Sequence, residues 1–337
     1  MLKTISVSRR VIQGTAVFIL AMALSVTGCA RKPRQKELAL VTIAFQEWVG
    51  YGPFYLAKDK GFFEDEGIRL VVVDEQLDSA RRDAFKRGML DCEAGTIDQL
   101  VLKRAQEAPV VGVMEIDISY GGDGIVASEN IKSVEDLAGK KVILARDDVG
   151  ETFLAWVLRE KGLSLDDVDI VAASPGGTAE AFLAGKGDAA VTWEPDLSRA
   201  SERPGSHILI TSRDKPGIII DTLNVREDLV RDHPELVGKL MRAWFRALEY
   251  YGRDPAAASA VIAGYYGVTP DEYREQVKGL KWVGYGDQAL LSDPKKLEEV
   301  FNGIAELKLA GRRISGLPDA RGALESGPLK EIYEDRR

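Results

Sequence analysis

The sequence predicts an α/β chain of two doubly wound lobes with a hinge and an interlobe cleft. Three observations predict it. Short β-branched runs alternate with helical segments from residue 38 onward, the alternation starts afresh near Gly124, and a strand after Gly217 leads into a mainly helical tail. Near-continuous apolar strands between helices also predict mostly parallel sheets covered on both faces.

The first segment reads as an address. Lys3, Arg9 and Arg10 open the chain, and no acidic residue precedes Glu37. Residues 11–30 are uncharged, with an unbroken apolar run over 16–24. A spanning helix takes about 20 apolar residues, so this run suits the core of a secretory signal. Val26-Thr27-Gly28-Cys29 resembles a bacterial lipobox. That implies a signal peptide over 1–28, a diacylglycerol on the Cys29 thiol and a basic tether over 29–37. An uncleaved anchor helix is the alternative, and Ser8-Arg9-Arg10 fits a twin-arginine signal poorly.

In the body, 38–45 (LALVTIAF) and 68–73 (IRLVVV) read as strands, followed by helices ending near Gly61 and spanning 79–87. A short strand at 92–94 leads into a helix opening at Thr96, where Thr96 and Gln99 have capping-box spacing. The strand 109–114 (PVVGVM) closes the first set. In the second set, a short helix at 133–137 stops at Gly139, 141–145 (KVILA) is a strand, and a helix at 152–161 stops at Gly162. Strands at 169–173 and 189–193 (AAVTW) flank a helix at 178–184, and strands at 207–211 and 217–225 follow. Helices at 234–251, 255–265, 270–280 and 294–309 complete the chain. Asp232 before Pro234, Thr269-Pro270 with Glu272, and Asp293-Pro294 mark three of their starts. Crossings near 125–128 and 218–225 assign 38–124 to lobe one, 125–217 to lobe two, and 218–337 to the return and C-terminal helices. Two crossing segments allow a hinge, and the cleft is the expected site.

The 337 residues carry 45 Lys and Arg against 53 Asp and Glu, a net charge of −8. Removing 1–28 takes away three positive charges and no negative one, leaving −11. This balance argues against a nucleic-acid partner. Two cysteines exclude a disulfide framework, and Cys92 reads as a small core residue. His207 and His233 have no ligand partner nearby in sequence, and no HExxH, CxxC, G-x-S-x-G or Walker loop occurs. Gly122-x-Gly124-x-x-Ala127 opens no helix, as a dinucleotide loop would. Catalytic residues, a metal and a cofactor are therefore not expected.

Ligands in open α/β sheets sit beyond the carboxyl ends of strands. That rule, with the aromatics nearby, collects Trp48, Tyr51, Thr96, Asp98, Tyr120 and Asp123 from lobe one. Lobe two offers Glu151, Thr152, Trp193 and Glu194, and the returning strand offers Asp221. Helix starts near Thr96, Thr152 and Thr178 would present free N–H groups to an anion. The same loops hold nine acids (Glu47, Asp98, Asp117, Asp123, Asp147, Asp148, Glu151, Glu194 and Asp221) against Arg146 alone. Carboxylates beside aromatic faces suit an ammonium or a protonated heterocycle, at roughly 0.5–2 kcal/mol per contact.

Segments 48–57 (WVGYGPFYLA), Gly61-Phe62-Phe63, 121–127 (GGDGIVA), 133–142 (SVEDLAGKKV), 150–152 (GET) and 191–195 (VTWEP) carry a resemblance over roughly 41–252. The chain resembles solute-binding proteins of ABC importers, in the group for nitrate, taurine, alkanesulfonates and thiamine-pyrimidine precursors. The resemblance implies a type II periplasmic-binding fold and non-catalytic capture of a solute for a permease and an ATPase. With Cys29 it implies an extracytoplasmic lipoprotein held at the membrane, on the periplasmic side or the cell surface. The expected mechanism has solute bridging Trp48 and Thr96 of lobe one and Thr152, Trp193 and Glu194 of lobe two. An amine or pyrimidine-like solute is favoured. The alternatives are an anionic solute, a thiamine-pyrimidine-related enzyme (whose cysteine-rich segment and active-site histidine this chain lacks), and a sensory or adhesion lipoprotein.

Overall fold

The computed structural model describes residues 37–335; the segments expected as a signal peptide (1–28) and, but for Glu37, as a tether (29–37), with Cys29, lie outside them. The first sheet contains β1 (Ala39–Phe45), β2 (Ile68–Asp74), β3 (Cys92–Thr96) and β4 (Val110–Ser119). The second contains β5 (Asp123–Ser128), β6 (Lys141–Ala145), β7 (Asp169–Ala173), β8 (Ala189–Trp193) and β9 (Ser206–Thr211). The chain then returns to the first sheet with β10 (Ile220–Arg226) and β11 (Leu280–Trp282). The two orders are β11-β4-β10-β3-β1-β2 and β7-β6-β8-β5-β9.

Both sheets are mixed, which corrects the expectation of mostly parallel ones. β1 runs parallel to β2 and β3, but β10 enters antiparallel between β3 and β4, and β11 pairs antiparallel with β4. In the second sheet β6 is parallel to β7 and β8, while β5 is antiparallel to β8 and β9. An apolar run reports burial on both faces; it carries no direction. Residues 125–128, read as a crossing, belong to the strand β5. The helix expected over 270–280 ends at Gln276, and 280–282 becomes an edge strand.

Local chemistry accounts for most helix ends. Thr269 and Glu272 form a reciprocal capping box, and Asp293 accepts the N–H groups of Lys295 and Lys296. The box expected at Thr96 does not form, because the Thr96 hydroxyl donates to Asp98 instead. The helix expected to start at Thr152 starts at Val149 with Asp148 as its cap, so Thr152 lies a turn inside. Cys92 is fully buried, its thiol donating to the Thr42 carbonyl at 3.4 Å, and burial pushes that thiol well above its ordinary pKa.

The lobes are stitched where the chain crosses. Ser119, the last residue of β4, and Ser212, just after β9, share a 2.8 Å hydroxyl contact, and Gly121 N–H donates to Ser212 at 2.7 Å. The Gly279 carbonyl accepts from Tyr120 and Gly122 at 2.7 and 2.8 Å. A Cβ at Gly122 would stand 2.8 Å from that oxygen, so this close approach requires glycine. The helix Pro294–Ala310 packs Phe301, Ile304 and Ala305 with Ile97, Val101 and Leu102 of the first lobe. Its far end reaches helix Val149–Arg159 of the second. No described helix is long and apolar enough to cross a membrane.

Candidate functional site

Strand register builds the site. Thr96, Asp221, Asp117 and Trp282 stand in one row across β3, β10, β4 and β11. Across the cleft, Asp123, expected on lobe one, instead opens β5 of the second sheet and pairs with Trp193 at the end of β8. Between them lies a cavity of about 10 Å³, room for one water-sized sphere, so the lobes stand closed. Gln46, Trp48, Tyr51, Thr96, Ile219 and Asp221 line one wall; Asp123, Val149 and Trp193 line the other.

The polar groups of this cavity are buried and paired. Trp48 Nε1 donates to both Asp117 oxygens, at 3.3 and 3.2 Å, and Tyr51 OH donates to Asp221. Trp193 Nε1 crosses the cleft to the Glu47 carbonyl at 3.0 Å. Gln99 Nε2 reaches Gln46 at 3.4 Å and Asp148 at 3.2 Å, while its own oxygen accepts from Arg81 at 3.5 Å. Arg81 in turn sits in a buried ion network with Glu93 and Asp78.

Burial of so many acids distorts their titration. Asp123 is pushed up to about 8, first by burial, despite a bond from Ser119, and then by the charges of Asp221, Asp148 and Asp98. Asp117 rises to about 7, again mainly through burial, with Asp123 adding to it. Asp221 is held well above the carboxylate range by burial and by Asp117. Burial raises Asp148 to about 6. Among the described residues, Asp117, Asp123 and Asp221 form no ion pair, and no Lys or Arg lines the cavity.

The structure brings Trp48, Tyr51, Thr96, Asp123, Trp193 and Asp221 together on this cavity. It does not bring the other five expected residues there. Asp98 accepts from Lys308 Nζ and Thr152 Oγ1, each at 2.9 Å, so a resident cation takes its charge and Thr152 is engaged beside it. Glu151 is held by Arg313 at 2.6 and 2.9 Å and by Arg146 at 2.8 Å. Glu194 accepts from Ser198 N and Oγ at the start of helix Asp196–Ser201. Tyr120 lies under Lys281 and Arg213, at 3.6 and 5.3 Å from its ring centre. Sequence reasoning missed Val149 and Ile219, apolar residues with no chemical signature, and read Gln99 only as a capping partner of Thr96. Asp117 had been counted only among the acids.

Gly50 is fixed by this geometry. A Cβ there would lie 2.2 Å from Asp117 Oδ2 and 2.3 Å from Trp48 Nε1. Gly50→Ala is expected to split the Trp48–Asp117 pair, costing about 1–3 kcal/mol of stability and roughly tenfold or more in solute affinity. Thermal melts and titration of the variant check both.

Comparison with known proteins follows the same outline. A protein of Bacillus subtilis (strain 168), named for binding aliphatic sulfonates, is 29% identical over 255 residues, covering 69% of this chain and 72% of its own. The 4-amino-5-hydroxymethyl-2-methylpyrimidine phosphate synthase of Aspergillus parasiticus is 24% identical over 224 residues, 62% of this chain and 65% of the synthase. Among solved structures, the alkanesulfonate-binding protein SsuA from Xanthomonas axonopodis pv. citri bound to MOPS superposes with a TM-score of 0.73 at 18% identity. That match covers 86% of this chain and 99% of SsuA, and it shows the shared periplasmic-binding fold. The family model described as NMT1/THI5 like matches residues 48–258, more than half of the chain, and the chain belongs to that family.

Proposed function

We propose that this protein is an extracytoplasmic solute receptor of an ABC importer, which captures a small cationic nitrogen compound by cleft closure. The solute is an amine or a pyrimidine-like heterocycle. The observation that carries this reading is the closed cavity where Asp123 and Asp221 meet Trp48, Tyr51 and Trp193 with no basic side chain in the lining, and with Asp117 behind Trp48. An ammonium or protonated ring nitrogen would supply the missing counter-charge. The aromatic faces would add cation–π attraction. The closed cavity has room for about one water, so the solute enters while the lobes are apart. By touching both walls it favours a closed arrangement slightly wider than this one. The binding proteins among its relatives support the receptor role. The cavity lining has no His, Cys or Lys, which argues against the synthase chemistry of the fungal relative.

An anionic solute is the second reading, favoured by the start of helix Val149–Arg159, whose first residue lines the cavity. Against it, the Asp148 carboxylate already takes the Val149 N–H at 2.7 Å and brings a further acid to that helix end. A thermal-shift panel of monoamines, diamines and aminopyrimidines against taurine, ethanesulfonate and nitrate separates the readings. An amine or aminopyrimidine at 100 times its Kd should add about 2.7 kcal/mol of stability. Shifts from the sulfonates alone would transfer the proposal to the second reading.

Membrane attachment rests on the lipobox-like residues before Cys29, which lie outside the described part. Cys29→Ser is expected to move the protein from the membrane fraction to the soluble one, because the acyl chains alone hold it there. Fractionation and immunoblotting check this. An unchanged membrane fraction would favour the uncleaved anchor helix.

A further inference from the structure

A second cavity, of about 500 Å³, lies at the lobe junction. Its size lies within the range of small-molecule pockets. One wall is the end of helix Pro294–Ala310 with the turn after it, contributing Leu307, Ala310, Arg312 and Arg313. The facing wall comes from the second lobe, with Leu163, Leu165, Val168 and Ile170 as an apolar floor and Arg146 and Arg159 at the rim. Four guanidinium groups thus surround an apolar pocket in an acidic protein, with Asp166 as the one acid of the lining.

The four arginines are not equally committed. Arg146 and Arg313 share the buried Glu151 in bonds of 2.6–2.9 Å. Arg312 contacts Asp166 at 3.2 Å with both side chains more than three-quarters exposed, and Arg159 approaches Glu306 only to 3.9 Å. Exposed pairs of this kind contribute about 0–1 kcal/mol, so these two arginines exchange partners at little cost. A guanidinium fork matches a carboxylate in shape as well as charge.

We propose that this cavity is a second ligand site, separate from the carboxylate-lined cleft, for a single-chain amphiphilic carboxylate of medium length. Its acid head pairs with Arg159 and Arg312, and its alkyl tail lies on Leu163, Leu165 and Ile170. The occupant touches both lobes, so it also favours their closed arrangement.

Equilibrium dialysis of the purified protein with radiolabelled octanoate, and acetate as a tail-less control, tests the site. Octanoate should bind at one site and acetate should not, with affinity rising roughly fourfold per methylene from butanoate upward. Arg159→Ala combined with Arg312→Ala, both exposed, should weaken octanoate at least tenfold. Ala310→Trp, which fills the cavity from an exposed position, should abolish binding. Octanoate binding undiminished in both variants, or no octanoate bound at millimolar concentration, would overturn the proposal.

Discussion

Asp123→Asn is expected to stabilise the solute-free protein near pH 8 by on the order of 3 kcal/mol while removing most of its solute affinity. The sign follows from protonation. Asp123 titrates at about 8 in the folded protein, against about 3.9 in an unfolded chain. Below the unfolded value both states hold the proton and nothing is lost. As pH rises toward 8, the unfolded chain sheds its proton first, so stability falls by up to about 1.4 kcal/mol per pH unit. Asp117, at about 7, and Asp221, raised further by it, act in the same direction. The wild-type melting midpoint should therefore decline between pH 5 and pH 8, and the Asn variant should decline less. The same substitution takes one carboxylate from the solute's counter-charge, a loss of about 2–5 kcal/mol at a desolvated pair. Melts of both proteins across pH, with and without the best amine of the panel, check the two halves together. Equal destabilisation of the variant at pH 5 and pH 8 would show that Asp123 acts only through packing.

Lys308→Met is expected to cost about 3–5 kcal/mol of stability, because it strands the Asp98 carboxylate in a buried interlobe contact. Lys308 and Asp98 are both nearly inaccessible, and Thr152 from the opposite lobe donates to the same carboxylate oxygen that Lys308 holds. The ammonium thus closes a three-way junction between helices Ile97–Ala105, Val149–Arg159 and Pro294–Ala310. Removing both charges tests the cause. Asp98→Leu with Lys308→Met should recover most of the loss, since an apolar pair of similar size avoids the desolvation cost. If denaturant melts show the double variant as unstable as the single one, Lys308 contributes through its packing and not its charge.

The contrast between these two sites shows what the sequence could and could not convey. Strands and helix ends were readable because their signals are local: β-branched runs, the Thr269-Pro270-Glu272 cap, the Asp293-Pro294 start and the glycine stops. Trp48, Tyr51, Thr96, Asp123, Trp193 and Asp221 were readable because strand ends face the cleft. Which acids are already neutralised was not readable. Asp98 meets its cation 210 residues later, and Glu151 meets Arg313 after 162. Glu151 and Glu194 therefore looked as available as Asp123, although one is held by two arginines and the other caps a helix. Strand direction was hidden for a related reason: a central strand buried on both faces has the same composition whichever way it runs, and only the long return path inserts β10 between β3 and β4.

The most direct test of the cationic receptor is isothermal titration of the purified protein with the best amine of the panel and with ethanesulfonate, at pH 6 and pH 8. Amine affinity should rise with pH, by at most about tenfold per unit for each proton displaced from Asp117, Asp123 and Asp221, as long as the amine stays protonated. Ethanesulfonate should bind weakly at both values. Tight ethanesulfonate binding that strengthens toward pH 6, with no amine bound at either pH, would contradict the account.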